Sequence, residues 1–142
     1  MKIGIASDHR GVILKEKIKN YLNDRYQIID YGTNSIESVD YPQYAYKIGE
    51  SIKDNKIDLG ILICGTGIGM SIACNKVKKV RCAKVSTKEE AFLARSHNNA
   101  NVIALSENVI NYKEIVETFL TSDFSNEEKH RRRVEMIDNY DN

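Results

Sequence analysis

The chain has no tryptophan and a single proline, Pro42, among 142 residues. Proline-rich linkers and low-complexity architectures are thereby excluded. Net charge is nearly absent: 21 Lys and Arg against 20 Asp and Glu leave +1. Such a balance offers no global electrostatic attraction to nucleic acid or to a membrane surface, so neither is expected as a partner. No apolar run approaches the ~20 residues of a bilayer-spanning helix. The apolar stretch near Met1 is too short for a secretory signal, and the expected location is the cytoplasm. Cysteine is scarce and odd in number: Cys64, Cys74 and Cys82 have no metal-ligand spacing. They read as free thiols in a reducing compartment. What is present is 42% hydrophobic and 29% charged, a globular composition. The length suits one domain, residues 1–142, with a single sizeable core.

Apolar, β-rich runs at 2–6, 27–31, 59–64, 81–85 and 102–105 read as strands. Between them, Leu14, Ile18, Tyr21 and Leu22 recur at helical spacing, as do Ile115, Val116, Phe119 and Leu120. Residues 71–77 read as a helix, and a final helix is expected at about 126–139. Short continuous strands alternating with amphipathic helices imply an α/β fold whose parallel sheet is covered on both faces. Ligands then bind beyond the carboxyl ends of the strands. That rule selects the loops at 7–11, 32–41, 64–69 and 86–87, and those around the fifth strand.

The most informative of these loops is Cys64-Gly65-Thr66-Gly67-Ile68-Gly69. A strand, a glycine-rich turn and a helix start together place several backbone N–H groups where an anion could sit. The glycine spacing is not that of a dinucleotide fingerprint, no carboxylate follows at the ribose-binding distance, and the P-loop lysine is missing. What remains is a compact nest suited to a developing oxyanion. Cys64 stands at its entrance. Two readings stay open there: a thiolate serving as base or nucleophile, or an inert buried thiol. Cys74 and Cys82 fall inside a helix and a strand and read as structural. Asp8 and His9 follow the first strand and could hold a sugar hydroxyl and a phosphate, or Asp8 could cap the next helix. His97 precedes the fifth strand, where an imidazole could move protons in both directions or simply be exposed. In the last helix His130, Arg133 and Ile137 share one face, with Lys129 one turn before Arg133. Lys129, His130 and Arg133 could hold a phosphate, whereas Arg131 and Arg132 read as a solvated face.

Six motifs, in order, resemble the B-type ribose-5-phosphate isomerases, a family that also includes galactose- and allose-6-phosphate isomerases. They are Ser7-Asp8-His9, Asp40-Tyr41-Pro42, Ile63-Cys64-Gly65-Thr66-Gly67-Ile68-Gly69, Ala73-Cys74-Asn75-Lys76, His97-Asn98 and the stretch from His130 to Val134. The resemblance runs from Met1 to about Ile137. It implies a three-layer α/β/α sandwich around a Rossmann-like, five-stranded parallel sheet. It implies aldose–ketose isomerisation without metal or cofactor, in a homodimer whose active sites span the interface, or in a pair of such dimers. By position Cys64 matches the base acting between C1 and C2, and His97 the residue that opens the sugar ring. Thr66 falls with the catalytic set. Gly65, Gly67, Ile68 and Gly69 match the stabiliser of a cis-enediolate. Asp8 and Asn98 match hydroxyl contacts, Asp40 and Tyr41 line the site, and His9, Lys129 and Arg133 fall with the phosphate contacts.

The chain departs from that pattern in places. Met70 stands where one subgroup has a glutamate, which favours the thiol mechanism. Asn108 replaces a family arginine, Lys129 another, and Glu127-Glu128 the usual pair of glycines. Arg10 stands where a small residue is usual, and is expected to restore part of the lost positive charge. Ribose 5-phosphate and ribulose 5-phosphate are the expected substrates. The rivals are a hexose 6-phosphate and a sugar-phosphate-binding protein without turnover.

Overall fold

The structure, a computed structural model, describes residues 1–140. Its elements are β1 (Lys2–Ser7), a 3₁₀ turn (His9–Gly11), α1 (Val12–Leu22), β2 (Gln27–Asp30), α2 (Tyr41–Lys53) and β3 (Leu59–Cys64). They continue with α3 (Ile68–Cys74), β4 (Cys82–Lys84), α4 (Lys88–Ser96), β5 (Val102–Ser106), α5 (Tyr112–Thr121) and α6 (Glu128–Asp138). All strand pairs are parallel, in the order β2-β1-β3-β5-β4. β3, at the centre, is buried at every position, as a strand covered on both faces must be.

Side-chain alternation divides the core in two. Ile3 and Ile5 of β1, Leu59, Ile61 and Ile63 of β3, and Ile103 and Leu105 of β5 pack under α1, α4 and α5. Ala6, Leu62, Cys64, Val102 and Ala104 turn the other way, under α2 and α3. The result is the expected three-layer sandwich. Since α1 leaves β1 on one face and α3 leaves β3 on the other, their connections diverge. A crevice opens between the carboxyl ends of these adjacent strands.

The local signals match the elements. Pro42 sits in the first turn of α2, where its missing N–H costs nothing. Thr87 caps α4 by accepting the Glu90 N–H at 3.1 Å, and the Glu90 carboxylate accepts the Ser86 N–H at 2.7 Å. The expected helix at 71–77 begins earlier, at Ile68, because the left-handed Gly67 (φ 81°) starts it directly after the turn. Asp8 caps the 3₁₀ turn rather than α1, accepting the N–H groups of Arg10 and Gly11.

α6 does not belong to either helical layer. It crosses the amino-terminal edge of the sheet, where Arg81 at the entry to β4 pairs with Asp138 at 2.7 Å. Its docked stripe is His130 and Val134, whereas Arg133 and Ile137 remain exposed. The shared face expected for His130, Arg133 and Ile137 is thus only partly packed.

Candidate active site

Cys64 is the last residue of β3 and is buried, with its sulfur under the turn that follows. The turn folds back so that the Gly67 N–H donates to Cys64 Sγ at 3.2 Å. The Thr66 hydroxyl accepts the Ile68 N–H at 3.2 Å. Two amides of the expected nest are therefore committed inside the turn, one of them to the sulfur itself. Gly67 needs its missing side chain twice over: its φ is positive, and a Cβ would lie 3.0 Å from the Leu105 carbonyl carbon. The Tyr41 ring lies against Gly69, where a Cβ would meet it at 2.6 Å.

The neighbouring strand ends complete this wall. Asp8 is buried, and its N–H donates to the Ile63 carbonyl at 3.2 Å, which fixes it beside Cys64. His9 Nδ1 accepts the Val39 N–H at 3.2 Å, so the neutral imidazole carries its proton on Nε2. Asp40, at the start of α2, makes no side-chain cap bond and is exposed. From β5, the Ser106 hydroxyl donates to the Gly65 carbonyl at 2.8 Å, and the Glu107 N–H to the Cys64 carbonyl at 2.9 Å. Glu107 also accepts from Arg10, Nη2 at 2.7 Å and Nε at 3.2 Å. This carboxylate, more than any other group, raises the proton affinity of the Arg10 guanidinium; Asp8 and Cys64 add smaller contributions. Ser106 and Glu107 are not singled out by the sequence reading, although one ends the fifth strand and the other follows it, as the strand-end rule requires.

The remaining candidates lie elsewhere. α4 starts beyond the carboxyl end of β4 and runs back, so His97 and Asn98 follow it at the amino-terminal edge. There the His97 and His130 rings stack with centroids 4.2 Å apart and planes 13° from parallel. Desolvation, then the neighbouring His97 and Lys129, push the His130 imidazole below its ordinary value of 6.5. Lys129 and Arg133 stand on the same helix, both exposed. Two hollows of about 650 and 830 Å³ also open at this edge; Arg81 lines both, Asn98 one, and neither reaches Cys64. Within one chain, the sheet separates Cys64, Gly65, Thr66, Gly67, Ile68, Gly69, Asp8, His9, Asp40 and Tyr41 from His97, Asn98, Lys129 and Arg133. No cluster of three or more His, Cys, Asp or Glu suited to a metal occurs among the described residues. No helix among them is long and apolar enough to cross a membrane.

Comparison with known proteins places this arrangement. The model of the Ribose/Galactose Isomerase family matches residues 3–137. Ribose-5-phosphate isomerase B of Escherichia coli is 41% identical over 140 residues, covering 96% of this chain and 93% of its own. The crystal structure of a ribose 5-phosphate isomerase from Thermotoga maritima is 49% identical, with a TM-score of 0.93 and 98% of each chain covered. That of ribose-5-phosphate isomerase B from Mycoplasma genitalium, with bound ribulose-5-phosphate, is 41% identical at a TM-score of 0.91. It covers 98% of this chain and 95% of its own. The chain belongs to the Ribose/Galactose Isomerase family, in its ribose-5-phosphate isomerase B branch, and is an aldose–ketose isomerase.

Proposed function

We propose that the chain interconverts D-ribose 5-phosphate and D-ribulose 5-phosphate through a cis-enediolate, with Cys64 as the base. The observation that carries this reading is the Cys64 sulfur at the crevice, held by the Gly67 N–H and flanked by Asp8. In the open-chain aldose the thiolate takes the C2 proton. The electron pair becomes the C1–C2 double bond, and charge moves to O1. A proton passes from O2 to O1, which the cis geometry keeps adjacent. The thiol then returns its proton to C1, leaving the carbonyl at C2. A proton alpha to a carbonyl is weakly acidic, so preorganised donors must carry the charge; one such donor is worth ~3 kcal/mol. The Gly65 to Gly69 turn serves that role, and Asp8 orients a hydroxyl.

Ring opening requires a second acid–base group, and His97 fills that role. Cys64 and His97 lie at opposite edges of one sheet, so a site using both takes them from different chains. The exposed Ile68 and Ile72, one turn apart beside the Cys64 turn, give a second chain an apolar strip to cover. The site is thus completed in a homodimer. His97 and Asn98 come from one protomer, with Lys129 and Arg133 receiving the phosphate together with His9 of the other. The three cysteines are free thiols, in keeping with a reducing, cytoplasmic setting.

A steady-state assay with ribose 5-phosphate, allose 6-phosphate and galactose 6-phosphate, without added metal, tests the reading alongside Cys64→Ala. Turnover of ribose 5-phosphate that collapses in the variant is expected. Turnover confined to a hexose phosphate would keep the mechanism and overturn the substrate. No turnover by the folded protein would make it a sugar-phosphate-binding protein.

A further inference from the structure

Arg10 occupies the mouth of the crevice. Its guanidinium lies over Gly65, where a Cβ would meet Nη1 at 3.0 Å and Cζ at 3.1 Å. Glu107 accepts from Nε and Nη2 of the same group. Glu107 is itself tied to the Cys64 carbonyl through its N–H, and Ser106 holds the Gly65 carbonyl. The carboxylate that orients the guanidinium is therefore anchored to the end of β3, and the Arg10 N–H is held by Asp8 at 3.0 Å. Nη1, the nitrogen nearest Gly65, makes no hydrogen bond with the described residues. The side chain is 56% exposed, against 22% for Glu107, so the guanidinium is held in place against Gly65 yet remains accessible.

We propose that Arg10 is a substrate-contacting residue of this isomerase, which presents Nη1 to an anionic oxygen of the sugar phosphate. Glu107 is its positioning residue. The inference rests on the isomerase reading above. A guanidinium suits the task because its planar fork gives two edges: one engages a carboxylate in two bonds while the other stays available to a ligand. Glu107 removes the rotational freedom of a long side chain before substrate arrives, so less order is lost on binding. Two groups of the substrate carry the necessary charge, the enediolate oxygen formed beside Cys64 and the terminal oxygens of the phosphate ester.

Arg10→Ala, Arg10→Lys and Glu107→Gln variants test this by kcat and KM for ribose 5-phosphate. Inhibition is measured with inorganic phosphate and with the hydroxamate of a four-carbon phosphoaldonic acid, which mimics the enediolate. Arg10→Ala is expected to lower kcat/KM about ten- to a hundredfold, the loss of one charge-assisted contact. Arg10→Lys is expected to recover part of it, keeping the charge without the fork. Glu107→Gln is expected to give a smaller loss that falls mainly on KM. If Arg10 faces the enediolate oxygen, Arg10→Ala weakens the hydroxamate and leaves phosphate inhibition unchanged. If it faces the ester, both inhibitors weaken alike. An Arg10→Ala variant that keeps kcat/KM and both inhibition constants within about twofold overturns the proposal. Wild-type turnover is measured first. Its absence would count against the isomerase reading, and calorimetric binding of the same two ligands to wild type and Arg10→Ala would still decide the role of Arg10.

Discussion

Replacing Lys15 by Met should destabilise the fold by about 3 kcal/mol, at the low end for breaking a buried ion pair. The Lys15 side chain is fully buried, and Nζ donates to Asp30 Oδ1 at 2.8 Å, Asp30 Oδ2 at 2.7 Å and Asn34 Oδ1 at 2.6 Å. Met fills the same volume, so no cavity enters the comparison. Asp30 keeps two donors, Lys19 at 2.8 Å and the Gly32 N–H at 2.8 Å. These are why the cost sits at the low end. For a chain of 142 residues the loss corresponds to a Tm about 10 °C lower. Burial pushes the Asp30 carboxyl up, but hydrogen bonds from Lys15, Lys19 and Gly32 outweigh it and hold the group below its usual 3.8. A depressed carboxylate contributes stability above its unfolded value and loses it as pH falls through the folded one. Without Lys15 the folded value moves back up, so stability should depend less on pH at the acid end. Urea unfolding followed by far-UV circular dichroism, at neutral and acid pH, measures both effects. In a double-mutant cycle, Lys15→Met with Asp30→Asn should lose less than the sum of the single losses. A cost under about 1 kcal/mol, or strict additivity, would refute the reasoning. The network also fixes the segment 31–40, which delivers the Val39 N–H to His9, so kcat/KM should fall with stability.

Gly67→Ala should cost about 1–2 kcal/mol in backbone strain alone, and its Cβ would press on the Leu105 backbone. Because it also displaces the N–H aimed at Cys64, kcat should fall about tenfold or more; an unchanged kcat would remove that amide from the mechanism. In His97→Asn the His130 imidazole should titrate closer to its ordinary 6.5, since a like charge is gone, but not all the way, because desolvation is the larger cause. Proton NMR of the ring resonances reads this directly, and a His130 titration unmoved by the substitution would break the link. A depressed histidine loses stability as pH falls through its folded value, so the docking of α6 should weaken on the acid side of neutrality.

The central strands were legible because β3 is a run of six buried residues and β1 and β5 resemble it. The edge strand β4 contracts to Cys82–Lys84, since it pairs on one side only. α4 escaped the periodicity because its buried stripe is small: Ala91 and Ala94 face the core, while Phe92 and Leu93 are about half exposed. In α2 the stripe of Ala45, Ile48, Gly49 and Ile52 was obscured by Tyr41, Tyr44 and Tyr46. The Cys64 turn could be read from sequence because its hydrogen bonds span two or three residues. The pair of Arg10 and Glu107, 97 positions apart, could not, nor could the contacts of Lys15 with Asp30 and Asn34. Charge pairs of that separation are set by strand order, which local pattern does not encode. His97 illustrates the same limit: its motif was visible, but only the topology shows it at the edge opposite Cys64.

The most direct test of the shared site mixes two inactive proteins, Cys64→Ala and His97→Asn, under conditions where subunits exchange. In a twofold dimer the hybrid pairs the intact Cys64 of one chain with the intact His97 of the other at one of its sites. Equal mixing should therefore restore about a quarter of wild-type ribose 5-phosphate isomerisation. A mixture that exchanges subunits yet stays inactive would place both groups in a single chain's site and contradict the account.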